Sequence, residues 1–208
     1  MLLFIFNFLM SMGCDIVKPS KVDFSQSGFN IRSAKTMKGT DWKSLLDKKL
    51  EKMPQGITLN VNPEYELIGE DESQLMDFLS SIKAPDGWQW AAEELHYGAI
   101  NESPRWRAHL VAKTRIIAWE HLYKLHEIEQ SDFGECVITV ELTEEGRALF
   151  ASFSKERIGK QIAIMKNDRV YSAPRVLEQI SGGRLTVTMG IAAPEKKCDG
   201  LEKRFLSP

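Results

Sequence analysis

The chain has 208 residues, of which 43% are hydrophobic and 27% charged, and carries a net charge of -2 from 27 basic and 29 acidic side chains. This is an ordinary globular balance, enough for a real core in one domain or two small ones. It lacks the basic excess or clustered stripe of a nucleic-acid binder. Its basic runs are no longer than pairs; Lys48-Lys49 has acids close by and reads as a solvated helix face.

The first residues, Met1 to Met12 (MLLFIFNFLMSM), are uncharged and almost wholly apolar. The run is short of the ~20 apolar residues that span a membrane. It fits the apolar region of a signal peptide, so residues 1–13 are read as that signal. Gly13-Cys14 follows at once and resembles a bacterial lipoprotein processing site, although no Lys or Arg stands near the start and Ser11 stands where Leu is usual. The expectation is a chain cut before Cys14 and lipidated there, with Asp15 favouring the inner membrane. Cys136 and Cys198 remain; an exported location permits a bond between them, but sequence gives no distance. The spacing of the three cysteines matches no zinc pattern.

Residues 14–54 read as a polar tether with one helix. Pro19, Ser20, Ser25, Ser27 and Gly28 interrupt any apolar period, and Thr40 to Met53 is helical, with Trp42, Leu45, Leu46 and Leu50 on one face. Residues 55–112 read as a small α/β region. Ile57 to Val61 alternates as a strand, and Glu72 to Lys83 carries Leu75, Phe78, Leu79 and Ile82 on one helical face. Trp88, Trp90 and Trp106 follow the Pro85-Asp86-Gly87 turn. They read first as packing residues and second as aromatics of a peptide-binding groove.

Residues 113–191 carry the densest signals. Ile117 to His121 is a single helical turn, and Tyr123 to Glu129 pairs with Cys136 to Leu142 as a hairpin. Thr143 caps a helix whose first turn holds Glu144 and Glu145, where the helix dipole favours acids. Gln161 to Met165 and the return from Val170 form a hairpin across Lys166 to Arg169. Val176 to Ile180 and Leu185 to Met189 suggest another, joined at Gly182-Gly183. Residues 192–208 form a charged tail.

The residues show no recognisable catalytic motif. His121 and His126 are five apart, a rotation of about 140° on a helix, so they do not share a face for a metal. Glu93-Glu94 and Glu144-Glu145 are adjacent pairs that diverge on a helix. No phosphate-cradling glycine loop is present, and no cofactor or metal is expected.

One order of signals stands out: Glu145-Gly146, Phe150, Ser154, Gly159-Lys160, Ile162-Ala163-Ile164, Ser172-Ala173-Pro174, and Ile180 with Gly182-Gly183. This order resembles the head of the first periplasmic domain of the SecD family, accessory subunits of bacterial protein export. Ser154 stands where that pattern has Thr. The resemblance implies an α+β fold, a mostly antiparallel sheet with helices packed on one face. It also implies an extracytoplasmic module that contacts a polypeptide or an envelope protein, through its sheet face or an exposed edge. Its distinctive positions have structural explanations. Gly182-Gly183 permits positive backbone dihedrals at a turn, Pro174 interrupts a strand or places it at an edge, and Gly146 asks for close packing inside a helix. Two rival readings remain: a structural or assembly envelope lipoprotein with no translocation role, and a hydrolase using His96 or His109.

Overall fold

The computed structural model describes residues 22–46, 49, 52–61, 65–95, 104–126, 129–130, 135–191, 198 and 206. The apolar run Met1 to Met12, Cys14, Asp15 and His96 lie outside the described residues, as does most of the charged tail. The fold is α+β, with strands predominating and few helices.

The strands are β1 (Phe29–Lys35), β2 (Ile57–Asn60), β3 (Glu66–Gly69), β4 (Trp88–Leu95), β5 (Arg105–Ala112), β6 (Ile117–Ala118), β7 (Leu122–Leu125), β8 (Glu129–Gln130), β9 (Glu135–Leu142), β10 (Ile162–Lys166), β11 (Arg169–Ser172) and β12 (Arg184–Ile191). The helices are α1 (Gly39–Leu46), α2 (Glu72–Ser80) and α3 (Glu144–Glu156). One eight-stranded sheet runs β2-β3-β5-β4-β11-β10-β1-β6, and a four-stranded sheet has the order β12-β9-β7 with β8 paired to β9. Every pairing is antiparallel except β11 with β4.

β1 also pairs with β5, Ala34 opposite Val111. The circuit β5-β4-β11-β10-β1 therefore closes on itself as a five-stranded ring. Its interior holds Ala34, Ala91, Val111, Ala163, Met165 and Val170, mostly small side chains, as a narrow ring requires.

Residues 29–35, placed by sequence in a polar tether, are thus the seam of the fold. Phe29 and Ile31 face one core, while Ala34 belongs to the ring interior. The period-two alternation Phe29-Asn30-Ile31-Arg32 is a strand signal. The Ser- and Gly-rich approach before it obscured that signal.

Two further cores flank the ring. Under α1 and α2 lie Trp42, Leu46, Leu67, Leu75, Leu79, Trp106 and Leu110. Asp71 caps α2 by accepting from the Gln74 N–H at 2.8 Å. Between α3, the four-stranded sheet and the β10-β1-β6 end of the large sheet lie Phe29, Ile31, Ile117, Ile138, Val140, Phe150, Phe153 and Leu185.

Residues 176–180 are not a strand, contrary to the second hairpin expected there. Val176 exchanges backbone bonds with Gly159 and Lys160, and the Ile180 N–H donates to the Ser154 hydroxyl of α3 at 2.9 Å. β12 instead pairs along β9, Arg184 opposite Glu141 through Thr188 opposite Val137. Residues 117–121, expected as one helical turn, divide into β6 and a 3-10 turn, Trp119–His121.

Candidate functional site

The surface built by β7, β9 and β12 carries the features that a binding role needs. One face of this sheet is covered: Ile138, Val140, Leu185 and Val187 pack towards α3. The alternate residues face away. Thr139 and Thr186 bond across the strands at 3.0 Å. His126 Nε2 lies 3.0 Å from Glu141 Oε2, and Arg184 Nε lies 3.9 Å from the same oxygen. Among the described residues β12 has a strand on one side only, so its outer edge offers unpaired backbone groups.

α3 is anchored beneath this sheet by three contacts around one turn. Thr143 accepts from the Gly146 N–H at 3.1 Å and donates its own N–H to the His121 carbonyl at 2.8 Å. Gly146 is buried, and a Cβ there would lie 2.8 Å from the Cβ of His121. The Ala118 N–H in turn donates to His121 Nδ1 at 3.1 Å. The 3-10 turn is thus locked and presents Trp119 (43% exposed), and Tyr123 (64% exposed) follows on the edge strand β7 itself. Sequence reading singled out neither residue for binding. A large aromatic among polar neighbours in a short turn was the only available signal.

The other marked positions are placed as follows. Gly159 and Gly183 have positive φ, 77° and 72°, while Gly182 does not. A Cβ on Gly183 would come 2.6 Å from Arg147 Nε. Ser172 ends β11 opposite Ile164 beside a register shift, and the Pro174 carbonyl accepts from the Ile162 N–H at 3.0 Å. Ala173 packs against the ring interior.

Trp106 is buried in the core under α1 and α2, and Trp88 and Trp90 pack against that core partly buried. Trp90 stacks on Trp42 with ring centroids 5.6 Å apart, and its indole N–H donates to the Ile82 carbonyl at 3.0 Å. Trp106 is 9% exposed and lies under the Arg169 guanidinium at 5.2 Å.

His109 is buried and sits 2.7 Å from Glu93. Arg107 lies 3.6 Å from the same carboxylate and 3.2 Å from Glu66, which makes an ion chain across β3, β5 and β4. The adjoining cavity, lined by Lys35, Tyr65, Glu66, Arg107 and His109, has about 20 Å³ of room, enough for about one water. Among the described residues no group of three or more His, Cys, Asp or Glu side chains is placed to hold a metal.

Cys136 and Cys198 form a disulfide, with Cα atoms 5.6 Å apart. It ties the C-terminal segment to β9, and Leu206 packs against the core beneath α3.

Residues 94–196 match the SecDF P1 head subdomain family. The chain contains a SecD P1 head-like domain. The match begins at the end of β4 and takes in β5 to β12 and α3. Among similar proteins, the protein translocase subunit SecD of Acidaminococcus fermentans is 40% identical over 55 residues, 26% of this chain and 13% of that protein. The same subunit of Calditerrivibrio nitroreducens is 26% identical over 89 residues, 43% of this chain and 17% of that protein. A crystal structure of SecDF in a super-membrane-facing form superposes with a TM-score of 0.44 and 17% identity, over 88% of this chain and 19% of that one. The chain thus spans less than a fifth of these relatives. β1 to β3, α1, α2 and most of β4 precede the SecD head-like match.

Proposed function

We propose that this chain is a non-catalytic, extracytoplasmic protein-binding module, tethered to a bacterial membrane through a lipid on Cys14, and accessory to protein export. The observation that carries this reading is the SecD head match over residues 94–196, shared with subunits named for protein translocation. The Cys136–Cys198 disulfide supports a periplasmic location, because such bonds persist in oxidising compartments. The free edge of β12 supports an extended polypeptide as the ligand, added as a further strand; Trp119 and Tyr123 lie at the opposite edge, beside and on β7. Gly146, Gly159, Ser172, Ala173, Pro174, Gly182 and Gly183 have structural roles in this reading and take no part in chemistry.

The test is site-specific photocrosslinking in cells, with the probe at Thr186 on β12, at Tyr123, and at Asp86 on the far layer. The expected result is covalent capture of exported polypeptides at Thr186, weaker capture at Tyr123 on the opposite edge strand, and none at Asp86. Equal capture at all three positions, or none, would overturn the edge-binding reading.

A second reading, an envelope assembly lipoprotein without a translocation role, is favoured by one observation. The strands and helices before residue 94 complete the eight-stranded sheet, yet lie outside the SecD head match. Stable co-purification with one envelope complex, in place of many transient polypeptides, would decide for it.

A further inference from the structure

Leu177 is the most exposed large hydrophobic side chain among the described residues, at 82%, and Ile158, at 51%, stands on the adjoining loop. Backbone bonds lace the two loops together. The Gly159 N–H donates to the Val176 carbonyl at 2.8 Å, and the Val176 N–H donates to the Lys160 carbonyl at 3.0 Å. Arg175 Nη1 adds a bond to the Gly159 carbonyl at 2.6 Å. Ile158 and Leu177 are the chain neighbours of the bonded pair Gly159 and Val176. Val176 is buried, while Arg175 and Leu177 on either side of it are exposed. Gly159 has a φ of 77°, and a Cβ there would meet nothing within 4 Å, so this loop forms a protruding tip.

An exposed apolar residue standing singly is ordinary, but two on loops bonded to each other make a patch. The same loops carry Lys155, Arg157, Lys160 and Arg175 against Glu156 and Glu178. That is a local excess of two positive charges on a chain whose net charge is -2. The Arg157 guanidinium is held over the Phe153 ring at 5.6 Å, while Lys155 and Lys160 extend into solvent.

We propose that this tip docks on an anionic lipid surface. Ile158 and Leu177 enter the boundary between headgroups and acyl chains, and the lysines and arginines around them meet the lipid charge. Charge complementarity favours lipid, and so does the choice of residues, since protein-binding hot spots are rich in Trp, Tyr and Arg and poor in Leu. The proposal rests neither on the export reading nor on a lipid at Cys14.

The experiment places an environment-sensitive fluorescent amino acid at position 177 of the full chain, and in a second sample at Asp86. Each is titrated with vesicles of phosphatidylglycerol and phosphatidylcholine, and with vesicles of phosphatidylcholine alone. The probe reads the surroundings of its own position, whatever else on the chain holds the vesicle. Emission from position 177 should shift to the blue on the anionic vesicles and stay in place on the neutral ones; emission from position 86 should stay in place on both. Lys155→Glu combined with Lys160→Glu, two exposed changes that leave the melting temperature as it was, should raise the lipid needed for half of the shift roughly tenfold or more. No shift at position 177, an equal shift on neutral vesicles, or a shift undiminished in the double variant overturns the proposal. So does a shift brought about by envelope proteins in place of vesicles, which would assign the tip to a protein partner, or by raising the concentration of the chain alone, which would assign it to a second copy.

Discussion

Gly146 on α3 and His121 in the preceding turn approach so closely that a methyl group on Gly146 would fall 2.8 Å from the His121 Cβ and 2.9 Å from its carbonyl oxygen. The second of these atoms is backbone and cannot swing aside. α3 therefore sits at a fixed height against the 3-10 turn that presents Trp119.

Gly146→Ala should destabilise the protein, even though alanine gains about 1 kcal/mol of helix propensity over glycine. Overpacking at such a contact costs ~1–3 kcal/mol, so the net effect is a lower melting temperature. Gly182→Ala has open space around it and an unremarkable φ, and should melt as the parent does. Thermal melts of the two variants check this; equal melting would mean that the α3 contact is loose.

Removing the Cys136–Cys198 bond should lower stability by about 4 kcal/mol in the chain-entropy account, given a sequence separation of 62. Alkylation of the denatured, unreduced protein from the envelope should label neither thiol, and reduction should expose both. Free Cys136 and Cys198 in protein recovered from the envelope would remove the support that the bond lends to a periplasmic location.

Trp42→Ala should cost about 3–5 kcal/mol, since the indole is fully buried and stacked on Trp90. Trp119→Ala, at an exposed position across the sheet from β12, should leave the melting temperature and the capture at Thr186 nearly unchanged. Denaturant unfolding and the crosslinking yield of the two variants check this.

Asp41 at the start of α1 accepts the Lys38 N–H at 2.9 Å, and this bond, assisted by Lys35, holds its carboxyl below the ordinary 3.8. A depressed carboxylate pKa adds stability above the unfolded value that is lost as pH falls through the folded one. Asp41→Asn should therefore narrow its deficit against the parent as pH drops below about 4. A deficit constant from pH 2 to pH 7 would contradict that origin.

The α3 region was legible in the sequence because its signals are local. Thr143 as cap, Glu144 and Glu145 in the first turn, and Phe150 with Phe153 on one face need no long-range partner. The β7–β9 pairing was legible for a similar reason, its strands being close in the chain. β1 was not, since its pairing with β10 joins Phe29 to Lys166 and its burial depends on closure against β5. The pairing of β12 with β9, across α3 and two other strands, is likewise a property of the assembled sheet. Trp88, Trp90 and Trp106 were readable as packing residues but not as the floor beneath α1 and α2, which depends on how those helices dock.

The most direct test of the central claim is photocrosslinking from Thr186 on the outer strand β12 in living cells, with the captured protein identified by mass. The account predicts exported polypeptides caught at Thr186 and absent at Asp86. Capture of no protein at Thr186, in cells where the folded chain is present in the envelope, would contradict it.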